Sequence, residues 1–133
     1  MIIAAFDPGE ITGFAFIETE PEDGEGPDVF IAGQFPTWQL FKSLLDDYQP
    51  DVVVYEEFRL YPAIAKSKSW STFPEVQAIG VLKYLCQERD ITPVAQRASL
   101  KELVEIPHRV DGVKGPHARD ALRHALYYLE RDL

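Results

Sequence analysis

The chain has 133 residues, 46% of them hydrophobic, and a formal net charge of -9. Such a length suits one compact domain, residues 1–133, with a real core, and is too short for two lobes with a cleft between them. The charge at first argues against a nucleic-acid partner, because phosphate neutralisation by Lys and Arg supplies much of such binding.

Its distribution reverses that inference. Residues 1–58 hold 13 acids and one base, Lys42, whereas residues 59–133 hold 12 bases and 9 acids, so a phosphate backbone is expected to approach the second half. The single cysteine, Cys86, excludes an internal disulfide and a thiolate cluster for structural zinc. The opening MIIAAFDPGE has no basic n-region, and no run approaches the roughly 20 apolar residues of a spanning helix, so a cytoplasmic protein is expected.

In chain order, apolar runs at 2–6 and 13–17, separated by DPGEIT, predict a hairpin, and VFIAG at 29–33 predicts a third antiparallel strand. The intervening ETEPEDGEGPD is acidic and rich in Gly and Pro. It lacks the residue order of an EF-hand, so a solvated hairpin loop without function is expected. After Pro36, Leu40, Phe41, Leu44, Leu45 and Tyr48 recur at helical spacing until Pro50, and DVVVYE predicts a buried strand. FRLYPAIAKSKSWSTF mixes Arg59, Lys66 and Lys68 with Phe58, Tyr61, Trp70 and Phe73 without clean periodicity, as a long functional loop would. A helix from about Pro74 to Arg89 comes next, then the strand ITPVA, a helix near Ser99 to Glu105, the loop IPHRVDGVKGP, and a last helix from about Pro116. Cys86 falls with Ala78, Val81, Leu82 and Leu85 at helical spacing, as a small core residue rather than a nucleophile. Ala118, Ala121, Leu122, Ala125, Leu126 and Leu129 form the apolar stripe of the last helix.

Three acids stand out against this pattern. Asp7 and Glu56 each lie where an apolar strand stops, the place where open α/β sheets put ligands. Asp120 lies in the last helix, with His117 three residues earlier on the same face. Carboxylates gathered within a few ångströms repel one another unless cations neutralise them, and hard oxygen ligands suit magnesium or manganese. Metal-assisted phosphoryl chemistry is the natural reading of such a set.

In these segments the chain resembles the RuvC-like Holliday-junction resolvases, a branch of the RNase H-like nuclease superfamily. FDPGEITGFAF is similar to the family's first strand, acid and glycine-bearing turn. VVVYEEF is similar to the strand ending in the second acid, VQAIGVLKYLCQERDITPVAQRASLKELV to the central helix with its succeeding strand and helix, and HARDALRHAL to the terminal helix. FRLYP with the Lys/Trp loop looks closest to the short phage-type members. D-P-G-x-x-x-G also resembles the phosphate turn of actin-like sugar kinases and ATPases, but those enzymes need a second phosphate loop and a second lobe.

The resemblance implies an α/β, RNase H-like fold: a mixed five-stranded sheet, three antiparallel strands and then parallel ones, flanked by helices. By position it makes Asp7 the metal-bridging aspartate, Glu56 the second acid and Asp120 the last-helix aspartate. His117 falls where some members have aspartate and others histidine, as a metal ligand or transition-state contact. Glu57 replaces Glu56 as ligand if the strand ends one residue later, since one step swaps faces. The resemblance further implies Mg2+, with Mn2+ able to substitute, two ions per site, 5′-phosphate products, and a homodimer acting on opposing strands of a four-way junction.

Arg59, Lys66, Lys68, Trp70, Phe73, Lys101, Lys114 and Arg119 are the candidate DNA contacts, with Phe58, Tyr61, Arg109 and Arg123 beside them. Packing of the rings and a solvated basic face remain the competing readings. His124, one turn beyond Asp120, either supports a ligand or, like the loop residue His108, is an ordinary polar residue. Gly9 and Gly13 are expected to serve the turn after Asp7. Two other functions stay open: an RNase H-like nuclease acting on another branched DNA or an RNA–DNA hybrid, and a branched-DNA-binding module that does not cut.

Overall fold

The structure, a computed structural model, describes residues 1–20, 24, 26–36, 38–59 and 73–133. A five-stranded sheet has the order β3-β2-β1-β4-β5, with β1 at Ile2–Asp7, β2 at Thr12–Glu18, β3 at Asp28–Phe35, β4 at Val52–Glu56 and β5 at Val94–Gln96. The first three strands are antiparallel neighbours, and β4 and β5 run parallel to β1. Two helices, α1 at Leu40–Tyr48 and α2 at Pro74–Glu88, supply the crossovers, and α3 at Pro116–Tyr127 closes the described chain with a π-helical turn at Tyr128–Asp132. Among the described residues no helix is long and apolar enough to cross a membrane.

Alternation along the strands sorts the core into two layers. Phe6, Phe14 and Phe16 point to one face, where they meet Phe35, Phe41, Leu44, Leu45, Leu82 and Cys86. The rings of Phe6 and Phe41 meet edge-on at 5.0 Å, and those of Phe35 and Phe41 at 5.3 Å. Each such buried ring contributes on the order of 2 kcal/mol from apolar burial. Cys86 is wholly buried here, and that burial pushes its thiol up to about 11, so it is a core residue as its spacing predicts.

The opposite face is built from smaller side chains. Ile3, Ala5, Ala15, Ile17 and Val54 meet Ala121, Leu122, Ala125 and Leu126 of α3. Alanine on both surfaces lets the helix axis lie close to the sheet. The approach is closest at Gly13, where an added Cβ would stand 2.0 Å from the carbonyl oxygen of His117 and 2.6 Å from the amide nitrogen of Ala118. Gly13 therefore serves the docking of α3 rather than the turn after Asp7, and its φ is not positive. The turn itself is closed by Thr12, whose Oγ1 donates to the Gly9 carbonyl and accepts from the Gly9 amide, both at 3.3 Å.

Among the described residues the expected elements are present, with two differences: the strand expected at 91–95 begins three residues later, at Val94–Gln96, and one helix changes type. The helix expected near 99–105 is a 3-10 helix at Ala98–Leu103. None of its own residues is buried, and only Val104 after it enters the core, so no apolar stripe holds a full α-helical turn there. Of the acidic hairpin loop, residues 21–23 and 25 lie outside the described residues.

Replacing Gly13 with alanine should force α3 away from β2. Overpacking typically costs about 1–3 kcal/mol, and here the obstacle is backbone, so a loss at or above the top of that range is expected in denaturant unfolding of Gly13→Ala.

Candidate active site

One end of the sheet carries a row of residues across all five strands that is polar on every strand but β2, where it is Gly13. Gln34 of β3 pairs with Gly13 of β2, and Gly13 pairs with Asp7 of β1. On the parallel side, Phe6 pairs with Tyr55, which places Asp7 and Glu56 next to each other one residue on, and Glu56 pairs with Gln96 of β5. Strand alternation turns this row toward α3, the face of Ala5, Ala15 and Val54.

Helix α3 lies over the row and contributes one residue per turn to it. Its first turn is held by a side chain from the sheet: Gln34 Oε1 accepts from the amides of His117 at 2.9 Å and Ala118 at 3.4 Å. Those amides have no partner within their own helix, so Gln34 acts as a cap supplied from another element. Gly115 makes room for it, since a Cβ there would stand 2.5 Å from Gln34 Oε1 and the glycine adopts φ +95°. Arg119 binds the carbonyls of Asp111 and Val113 at 3.2 and 3.0 Å and the Asp111 carboxylate at 2.9 Å, which ties the preceding loop to the helix.

The four expected site residues border one cavity of about 860 Å³. His117 Nδ1 lies 3.1 Å from Asp7 Oδ2. Lys101 Nζ stands between the other two acids, 2.9 Å from Glu56 Oε1 and 3.1 Å from Asp120 Oδ2. Asp120 is also met by Arg123 at 3.2 Å. Glu56 rather than Glu57 faces the cavity; Glu57 instead accepts from Arg59 at 2.7 Å.

Burial and the neighbouring Glu56 charge push the Asp7 carboxyl up to about 6, against the opposing bond from His117. Burial also works against ionisation of Glu56, but the bonds from His124 and Lys101 outweigh it and hold this carboxyl down at about 2. Burial likewise opposes the Lys101 charge, yet its two carboxylate partners hold the ammonium above the usual lysine range.

The site therefore holds more negative charge than its own groups neutralise, and its donors are hard oxygens with one imidazole. That set fits a divalent cation of the magnesium or manganese kind. Among the described residues, no three His, Cys, Asp or Glu side chains close around a common point that would hold an ion. They stand instead as a His117–Asp7 pair and a Glu56–Lys101–Asp120 bridge, with the lysine ammonium in the place between carboxylates where a cation is favoured.

The remaining expected DNA contacts are differently disposed. Lys101 and Arg119 are engaged as described, Lys114 is exposed, and Arg109 pairs with Asp28. The rings of Phe58 and Phe73 pack on each other at 5.3 Å, in keeping with a packing role for these two. Tyr61, Lys66, Lys68 and Trp70 lie outside the described residues. His124 is fully buried and bonded to Glu56, so it is not an ordinary polar residue, while His108 is exposed. Gln34 and Gln96 do not stand out in the sequence, although both lie near strand ends as Asp7 and Glu56 do.

No family model matches the chain, and no curated protein matches it. Solved structures do. RuvC of Thermus thermophilus superposes with a TM-score of 0.72 at 16% identity, covering 99% of this chain and 97% of that one. The same organism's RuvC in complex with a Holliday junction substrate gives 0.71 at 19% identity, with 98% and 96% covered. The fowlpox virus Holliday junction resolvase gives 0.67 at 15% identity, with 98% and 99% covered. The chain thus has the RNase H-like fold in its RuvC form, with the mixed five-stranded sheet that the sequence resemblance implies.

Two outcomes are expected of the metal-free protein. The raised Asp7 carboxyl means that the folded state keeps a proton which the unfolded state, at about 3.8, has released. Folding stability from this group is therefore full at low pH and falls as pH rises toward about 6, while the depressed Glu56 carboxyl contributes constantly above its ordinary 4.5. Asp7→Asn should flatten the stability–pH curve between about 4.5 and 6 and raise the melting temperature at pH 8. Lys101→Met should lower metal-free stability by about 1–3 kcal/mol and enlarge the thermal shift produced by Mn2+, read by calorimetry with and without the ion.

Proposed function

We propose that the chain is a metal-dependent endonuclease that resolves four-way DNA junctions, with residues 1–133 acting as one nuclease domain. The observation that carries the reading is the convergence of Asp7, Glu56, Asp120 and His117 on one cavity at the strand ends, in a fold shared with a protein seen in complex with a Holliday junction substrate and with one described as a Holliday junction resolvase. On this reading Asp7, Glu56 and Asp120, with His117, hold Mg2+ or Mn2+, two ions per site. Such ions would activate water and neutralise the phosphate during in-line hydrolysis.

The residues of the chain set the rest of the chemistry. A proton and a cation compete for the Asp7 carboxylate, so metal affinity is expected to weaken as pH falls. Lys101 carries positive charge into the cavity beside two acids, and as they turn to other partners its ammonium is released toward the scissile phosphate. Exposed Lys114, with Arg59, Lys66 and Lys68, supplies phosphate contacts farther out, and Trp70 stacks on an opened base. Hydrolysis leaves a 5′-phosphate and needs no covalent intermediate. A homodimer would present two such sites to opposing strands, and a phage-type member would work in the host cytoplasm.

The test is cleavage of a labelled four-way junction beside linear duplex and an RNA–DNA hybrid, with Mg2+, Mn2+ or EDTA. Symmetrical nicking of the junction alone is expected, abolished by EDTA and reduced at least about a thousandfold in Asp7→Asn, a loss of about 4 kcal/mol of transition-state stabilisation. Binding should weaken steeply with salt. Cutting of the hybrid would move the substrate, and tight junction binding without cutting would replace the enzyme with a binding module.

A further inference from the structure

His124 sits one turn beyond Asp120 on α3, is fully buried, and touches two members of the polar row. Its Nδ1 lies 2.7 Å from Gln96 Oε1 and its Nε2 lies 3.0 Å from Glu56 Oε1. Gln96 and Glu56 are register partners on β5 and β4, so the imidazole spans adjacent side chains of the same sheet face. With Gln96 in this orientation both ring nitrogens face oxygen, and among the described residues the buried Gln96 Nε2 has no hydrogen-bond partner. A half-turn of the planar amide resolves both conflicts. The amide nitrogen then donates to His124 Nδ1, the buried orphan becomes a carbonyl oxygen, which tolerates that state better than an N–H, and the ring proton is confined to Nε2.

We propose that Gln96 and His124 form a buried positioning relay for Glu56, in which the Gln96 amide sets the Nε2–H tautomer of His124 and that N–H holds the Glu56 carboxylate in place. His124 touches no reacting atom, so it is a positioning residue. Its N–H and the Lys101 ammonium converge on one oxygen, Oε1. When Lys101 leaves, the His124 bond remains to fix the carboxylate's rotation, so that the ligand meets an ion already ordered. The relay is brought together by the docking of α3 over the β4–β5 pair, which sets His124 against Glu56 and Gln96.

The metal part of this inference rests on the proposed function, and the tautomer part does not. Long-range 1H–15N spectra of the metal-free chain should show His124 as a neutral Nε2–H imidazole, and Gln96→Leu, which keeps bulk but removes the donor to Nδ1, should shift the Nδ1 resonance to that of a ring nitrogen without a hydrogen bond. Calorimetric titration with Mn2+ should give about 10- to 100-fold weaker binding for His124→Leu, with His124→Gln recovering most of it because its amide N–H reaches the Nε2 position. A doubly protonated or Nδ1–H ring, or wild-type Mn2+ affinity in folded His124→Leu, would overturn the relay. If His124→Leu does not fold, the Gln96→Leu spectrum and its Mn2+ affinity decide the matter. Absence of Mn2+ binding by wild type, with the tautomer as expected, would instead count against the nuclease reading.

Discussion

Everything at the site depends on how closely α3 can approach the sheet. The approach is set by Gly13, where any side chain would collide with the backbone of His117, and by the alanines on both contacting surfaces. Only at that distance can Gln34 reach the first-turn amides of α3, His117 reach Asp7, and His124 reach Glu56. Because these contacts lie on successive turns of one helix over one row of the sheet, they form or fail together. A rigid element placed by packing gives tighter side-chain geometry than a loop would.

The second constraint is electrostatic and opposes the first. Packing gathers Asp7, Glu56 and Asp120 on one cavity, and burial then makes their charges costly. The chain answers with its own groups: the Lys101 ammonium between Glu56 and Asp120, the His124 N–H on Glu56, and a division of protons that leaves Asp7 raised and Glu56 depressed. A folded state with residual negative charge is one that favours cations, so the feature that strains the metal-free fold is the same feature that would recruit an ion. On the proposed reading, activity and stability would be opposed at Asp7, as is common where a site stores unfavourable charge.

The helical spacing of His117 and Asp120 is enough to put them on one face, and the apolar runs are enough to place Asp7 and Glu56 at strand ends. The same signals extend to further residues. His124 continues the 117–120 face by one more turn, and Gln34 and Gln96 lie near the ends of β3 and β5 as the two acids end β1 and β4. Polar residues at strand ends are ordinary, however, and only pairing reveals that these four lie in one row. The basic residues show the opposite limit: their segregation in the second half is plain, yet half-buried Lys101, Arg119 and Arg123 turn out to be engaged by the chain's own acids and carbonyls.

Local pattern by itself determined the order of the described elements, the type of all but the 3-10 helix at Ala98–Leu103, the burial of Cys86, and the placement of Asp7 and Glu56 at strand ends and of Asp120 on the last helix. These arise from periodicity and from chain stiffness at Pro and Gly, which act over a few residues. Only the tertiary structure decided which residues face one another across long separations: Gly13 under His117, Gln34 on α3, Lys101 between Glu56 and Asp120, and His124 between Glu56 and Gln96. Those pairings depend on register, crossover and the depth at which a helix settles, and no local periodicity encodes them.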